Sequence, residues 1–204
     1  MTNELGLLQA LRLKGRASAE ALAAASGSDL ASTEAQLQDA LNAELVASAG
    51  SNWKLTPAGR DRLTELVTAE RKSIDTAPLE QLYEEFDDYN NDLKSVVTAW
   101  QMKAPDQPND HTDADYDGRV VEKLVALHGR FGPWLERLSA VNPRLAIYAT
   151  RFDSAIAAVQ GGDHSFIARP IADSYHTVWF ELHEVLIGLL GRDRAGEAAA
   201  GRAL

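Results

Sequence analysis

The chain has 204 residues, 45% of them apolar and 25% charged, which fits one or two globular domains with substantial cores and indicates no disordered class. It has no cysteine, so disulfides, thiolate nucleophiles and Cys-ligated zinc are excluded and a reducing interior is compatible. The formal net charge of −10 is uneven: residues 1–72 hold 8 basic and 9 acidic side chains and the remainder 12 and 21, leaving the first part near −1 and the second near −9.

The first residues, MTNELGLLQALRLKGR, lack the apolar core and cleavage site of a secretory signal, and no stretch of ~18 apolar residues offers a membrane span. The expectation is a cytoplasmic protein without a membrane partner. In chain order, Leu5, Leu7, Leu8 and Leu11 form the stripe of a helix over 3–14, stopped by Gly15. Ser18 caps a second, alanine-rich helix that ends at Gly27. A third helix is predicted from Ala31 or Ser32 to Ala43, burying Ala35, Leu37 and Leu41 with Leu45 beyond it, and exposing Ser32, Thr33, Gln36 and Asp39. Two short strands, Leu45 to Ala49 and Trp53 to Leu55, flank the turn-forming Gly50-Ser51-Asn52. Thr56 then caps a helix with Pro57 at its first position, where no N–H is needed.

Leu22-Ala-x-x-x-Gly27, the Leu37/Leu41 helix, Glu44-Leu-Val and Leu55-Thr-Pro-x-Gly59-Arg60 together resemble the winged helix-turn-helix of MarR-like and PadR-like bacterial transcriptional regulators, over the first third of the chain. The resemblance implies a homodimer that binds double-stranded DNA, with the third helix in the major groove and the hairpin, the wing, on the backbone or minor groove. Carried over, Ser32, Thr33 and Gln36 would face bases, while Arg16, Ser51, Lys54 and Arg60 would lie near phosphates. This chain departs from the usual pattern: its third helix offers Glu34, Asp39 and the adjoining Glu44 where Arg, Lys or Asn would be expected, and carboxylates repel phosphate. A winged helix used for protein contact, without sequence-specific DNA binding, is the competing reading.

Ser73 to Pro78 has the composition of a hinge, and long helical patterns follow it. From 79 to 102, Leu79, Leu82, Phe86, Tyr89, Leu93, Val96 and Trp100 keep a heptad seam for three repeats, which buries either within one bundle or at a dimer interface. The acidic loop 104–117 lacks the glycine and terminal glutamate of an EF-hand and reads as helix capping and solvation before a helix that begins near Ala114. That helix carries Tyr116, Val120, Leu124, Leu127, Phe131, Leu135 and Leu138 on one face, with Gly132-Pro133 as a kink or break. Pro143 starts another helix, ended by Gly161-Gly162, and a last long helix is predicted from Pro170 to Leu190.

Candidate chemistry in this acidic helical bundle gathers on the last helix. Tyr175, His176, Trp179 and His183 could share a face and line a pocket for a small-molecule effector. Asp173, His176 and His183 are candidate metal ligands, a further ligand coming from His111, His128 or Asp115. The structural alternative is that these side chains satisfy buried hydrogen bonds beside Glu181, Glu184 or arginines across the bundle. No phosphate-cradling glycine loop or nucleophile elbow is present, so no catalytic residues and no enzyme are expected. The sequence therefore predicts a mostly α protein, a winged helix-turn-helix over 1–72 followed by a bundle over 79–204 that senses an effector or dimerises, with no obligatory cofactor.

Overall fold

In the computed structural model, which describes residues 4–192 and 196–197, side-chain caps set the helix starts and glycines set several ends. Helix α1 (Glu4–Lys14) ends before Gly15, which takes φ 68°. Helix α2 (Ala19–Ser26) is capped by Ser18, whose side chain accepts from Ala21 N, and closed by Gly27 at φ 70°. Helix α3 (Leu30–Asn42) starts earlier than Ala31, because Asp29 accepts from Ser32 N at 2.9 Å and outcompetes Ser32 as the cap.

Strands β1 (Val46–Ala49) and β2 (Asn52–Leu55) pair antiparallel with Val46 opposite Leu55 and Ala49 opposite Asn52. Gly50 takes φ 71°, as the first position of a type II′ hairpin turn requires. An additional antiparallel bridge, absent from the sequence reading, joins Ala17 to Trp53 through hydrogen bonds of 2.8 and 3.2 Å. The segment between α1 and α2 thereby becomes a third partner of the hairpin.

Helix α4 (Pro57–Ser73) leaves the hairpin through a tight joint. Thr56 Oγ1 accepts from Gly59 N at 3.0 Å and donates to Glu44 O at 2.7 Å, while Thr56 N donates to Leu45 O at 3.0 Å. Leu7, Leu8, Leu11, Leu22, Leu37, Val46, Leu55 and Leu63 form the core of this first unit, Met1–Ile74.

The second unit is Asp75–Leu204. Only Ile74 and Asp75 interrupt the helices in the expected hinge: Asp75 caps α5 (Thr76–Gln101), and Pro78 falls in its first turn, where a missing N–H is harmless. A short hairpin, β3 (Met102–Ala104) with β4 (Gln107–Pro108), precedes α6 (Ala114–Val141), which Asp113 caps through Tyr116 N at 2.9 Å. Helix α6 runs through Pro133 without a break, and a 3₁₀ turn over Pro143–Ala146 leads into α7 (Ile147–Gln160).

A second 3₁₀ turn, His164–Ile167, precedes α8 (Tyr175–Leu190). This helix starts five residues later than Pro170, because Ser174 accepts from Thr177 N and acts as the cap. Each long helix packs on its chain neighbours and α8 returns to α5, closing a four-helix ring. The heptad seam of α5 is therefore spent within the unit, with Leu79, Leu82, Phe86, Leu93 and Val96 buried. The described residues are thus mostly helical, with two small hairpins, and no described helix is long and apolar enough to cross a membrane.

Candidate functional site

Three exposed cations of the first unit lie on or next to β2 in the fold. Arg16 directly precedes Ala17, which bridges Trp53, the neighbour of Lys54 on β2. Arg60, in the first turn of α4, reaches back to donate from a guanidinium nitrogen to Leu55 O at 3.4 Å. Arg16, Lys54 and Arg60 are all exposed, and Ser51 stands exposed in the hairpin turn. None of the three cations has a carboxylate within ion-pair distance among the described residues, whereas Arg62 is held by Glu4 at 3.0 Å and Glu65 at 3.2 Å.

Helix α3 presents a different surface. Thr33 does not face outward as expected: it is 1% exposed, and its hydroxyl donates to Asp29 O at 2.9 Å. The burial stripe runs through Thr33, Leu37 and Ala40, so Ala35 lies on the exposed side. The physical source is helix phase: at about 100° per residue Ala35 lies about 200° from Leu37, on the opposite side, whereas Thr33, four residues before Leu37, shares its side. Ser32 is exposed but its hydroxyl is engaged with Asp29 at 2.6 Å. Gln36 is half-buried on a cleft of about 210 Å³ lined by Glu4, Leu7, Asp39, Ala40, Ala43 and Leu45. The free face of α3 is thus Glu34, Gln38, Asp39 and Asn42, amides and carboxylates without a cation.

In the second unit the expected effector face is the centre of the core. Tyr175 and Trp179 are fully buried. The Trp179 ring lies 4.5 Å from Phe131, 4.8 Å from Phe86 and 5.8 Å from Phe152, centroid to centroid, so aromatic rings fill the space a ligand would need. Its indole N–H donates to Asn90 Oδ1 at 3.0 Å, and that of Trp134 to Leu82 O at 3.0 Å. His183 is 4% exposed and meets the Tyr83 hydroxyl at 2.9 Å. Because that hydroxyl spends its one proton on Glu197, 2.7 Å away, His183 Nε2 must be the donor to it.

Two of the three metal candidates, Asp173 and His183, are engaged by other partners. Asp173 accepts from Arg151 Nε at 3.0 Å, His183 serves Tyr83, and no cluster of three metal-capable side chains occurs among the described residues. The pattern had no way to signal Arg151: it is 5% exposed, bonds Glu181 at 2.6 Å as well as Asp173, and lies over the Tyr148 ring at 5.3 Å. Buried charge is tolerable there because the guanidinium is paired on two sides.

His128 joins the same interior through its two ring nitrogens. Nε2 faces Asp153 at 3.3 Å and Nδ1 faces the Tyr175 hydroxyl at 3.4 Å, which suits a neutral ring donating from Nε2 and accepting at Nδ1. Burial pushes His128 below the ordinary histidine range, against the opposing pull of Asp153, and burial likewise lowers His176. Both are favoured neutral in the fold, so the unfolded chain binds their protons first as pH falls below about 6.5. Stability is expected to be flat above pH 7 and to decline as pH falls through 6 toward 5. Denaturant midpoints across that range should show a shallower decline in His128→Gln, and an unchanged slope would overturn the assignment.

No family model matches this chain, and neither the curated proteins nor the solved structures searched contain a significant match.

Proposed function

We propose that the protein is a DNA-binding transcriptional regulator whose first unit is a winged helix-turn-helix of the MarR-like or PadR-like kind and whose helical bundle serves dimerisation. The observation that carries this reading is the convergence of Arg16, Lys54 and Arg60 around one strand of the hairpin. Together with the order helix, bridge, helix, helix, hairpin, it gives a wing with cations at its root. These three side chains contact phosphates, with Ser51 at the turn. Helix α3 contributes Gln36 and Ser32 at most to base edges, and binding is dominated by the backbone and by DNA shape. A two-fold homodimer sets the two α3 helices about 34 Å apart.

Three phosphate contacts per subunit predict a log–log salt slope of about −2.7 per subunit on duplex DNA, and each of Arg16→Ala, Lys54→Ala and Arg60→Ala should reduce its magnitude by about 0.9. Fluorescence anisotropy between low and physiological salt measures this. Binding that ignores salt, or that all three variants retain unchanged, would remove the proposal.

The second reading, a protein-contact module, is favoured by one feature: the cleft beside α3 has an apolar floor of Leu7, Ala40, Ala43 and Leu45 under Glu4, Gln36 and Asp39. In that case a protein partner recovered by pull-down survives loss of the three cations and is lost when Ala43, exposed in the cleft, is enlarged to Glu. The cytoplasm is the compartment this function requires, and the filled bundle centre argues for packing over effector capture.

A further inference from the structure

The loop between the β3–β4 hairpin and α6 holds a histidine in a built setting. Asp117, in the first turn of α6, is 7% exposed. Its Oδ1 accepts from Asn109 Nδ2 at 2.7 Å, and its Oδ2 meets His111 Nδ1 at 2.9 Å. Asn109 is itself fixed, donating from its backbone N to Gln101 O at 2.8 Å and from Nδ2 to Trp100 O at 3.0 Å, and it accepts from His111 N at 3.1 Å. Both amide hydrogens of Asn109 are therefore spent, and its 3.2 Å approach to His111 Nδ1 leaves no proton to share. Burial alone would raise Asp117, but the hydrogen bonds from Asn109 and His111 outweigh it and hold the carboxyl below its usual range.

An ionised carboxylate only accepts, so the proton of neutral His111 resides on Nδ1 and the lone pair on Nε2. No partner meets Nε2 among the described residues, and the side chain is 43% exposed. One face of the ring packs on Trp100 at 4.3 Å, and His164 meets the same indole edge-on at 5.9 Å. The backbone of His111 sits at φ 56°, in the left-handed region that is uncommon for non-glycine residues. The bond to Asp117 fixes the tautomer, and the Trp100 contact holds the ring, which is 43% exposed, beside an apolar wall.

We propose that His111 Nε2 is a nucleophile that accepts acyl groups from neutral activated esters, with Asp117 as its positioning residue. Neutral donors are specified by the surroundings: Asp106, Asp110, Asp113 and Asp115 lie in the same loop, Lys103 is paired with Asp110 at 2.8 Å, and an anionic phosphoryl donor would be repelled. The Nε2 lone pair forms a bond to the carbonyl carbon, the bond from that carbon to the ester oxygen breaks, and the leaving group departs with the electron pair. The resulting acylimidazolium keeps its Nδ1 proton against Asp117. Water then takes the acyl group as the free acid, its second proton passes to solvent, and the neutral ring is restored.

The test uses the full chain and p-nitrophenyl acetate. Acetyl should map by peptide mass to His111 in preference to His164, and p-nitrophenolate release should fall about tenfold or more in His111→Ala. Asp117→Asn keeps the shape but presents an amide N–H to Nδ1, which moves the imidazole proton to Nε2 and removes the nucleophile. Nitrogen-15 NMR should show Nδ1–H in the parent chain and Nε2–H in that variant, a change that a merely structural Asp117 would not produce. Acetylation of His111 no faster than of His164, or an Nε2–H tautomer in the parent chain, would overturn the proposal, and neither readout depends on DNA binding.

Discussion

Gly59→Ala is expected to destabilise the first unit by about 3 kcal/mol and to lower its Tm by more than ~10 °C. A Cβ at this position would stand 1.9 Å from Leu45 O and 2.9 Å from Leu45 C, both backbone atoms. That carbonyl cannot retreat without losing the bond it accepts from Thr56 N at 3.0 Å. Intrinsic propensity argues the other way, since alanine is favoured over glycine in a helix by ~1 kcal/mol, and the clash wins because neither element can give. Gly129→Ala supplies the contrast: it lies exposed in α6 with nothing within 4 Å of the added carbon, so it should stabilise the bundle by about 0.5 to 1 kcal/mol. Thermal unfolding of both variants decides the matter, and a tolerated Gly59→Ala would show that α4 and β1 do not meet as described.

Arg151→Met should destabilise the second unit by about 3 to 5 kcal/mol. The substitution removes the guanidinium from Glu181, which is 2% exposed, and from Asp173, and it takes the cation from the Tyr148 ring. A buried carboxylate deprived of its counter-charge is the costly product, so adding Glu181→Leu should restore most of the loss. Chemical denaturation of the single and double variants measures the coupling. Additive effects of the two substitutions would mean that the pair does not act as a unit.

Much of the local structure was legible because its causes are local. Ser18, Thr56 and Asp113 each accept from a backbone N–H in the first turn of their helices, and Gly27 takes the left-handed conformation its position demands. The hairpin around Gly50 needed only a turn-forming pair between two short apolar runs. The Leu-Thr-Pro-x-Gly-Arg segment was legible as a strand exit and capped helix start, and the structure supplies its reason: threonine ties the helix start to Glu44 O, just beyond α3, and glycine leaves room for the Leu45 carbonyl.

The candidate sites were less legible, because each depends on residues far apart in the chain. Thr33 looked exposed by type and proved buried by phase. Tyr175, Trp179 and His183 share a helix face as the spacing indicated, but whether that face lines a pocket or fills a core depends on Phe86, Phe131 and Phe152 from three other helices. Arg151 carries no local sign of the two carboxylates it meets 22 and 30 residues later.

By itself the sequence determined the helical class, the caps, the first hairpin, the absence of thiol chemistry and the concentration of acid in the second part, since these follow from composition and from interactions within a few residues. Tertiary structure alone decided that Ala17 bridges to Trp53, that the α8 aromatics are packing, and that Asp117 fixes the proton of His111. Those outcomes rest on which distant side chains share one low-dielectric site, and no periodicity along the chain encodes that.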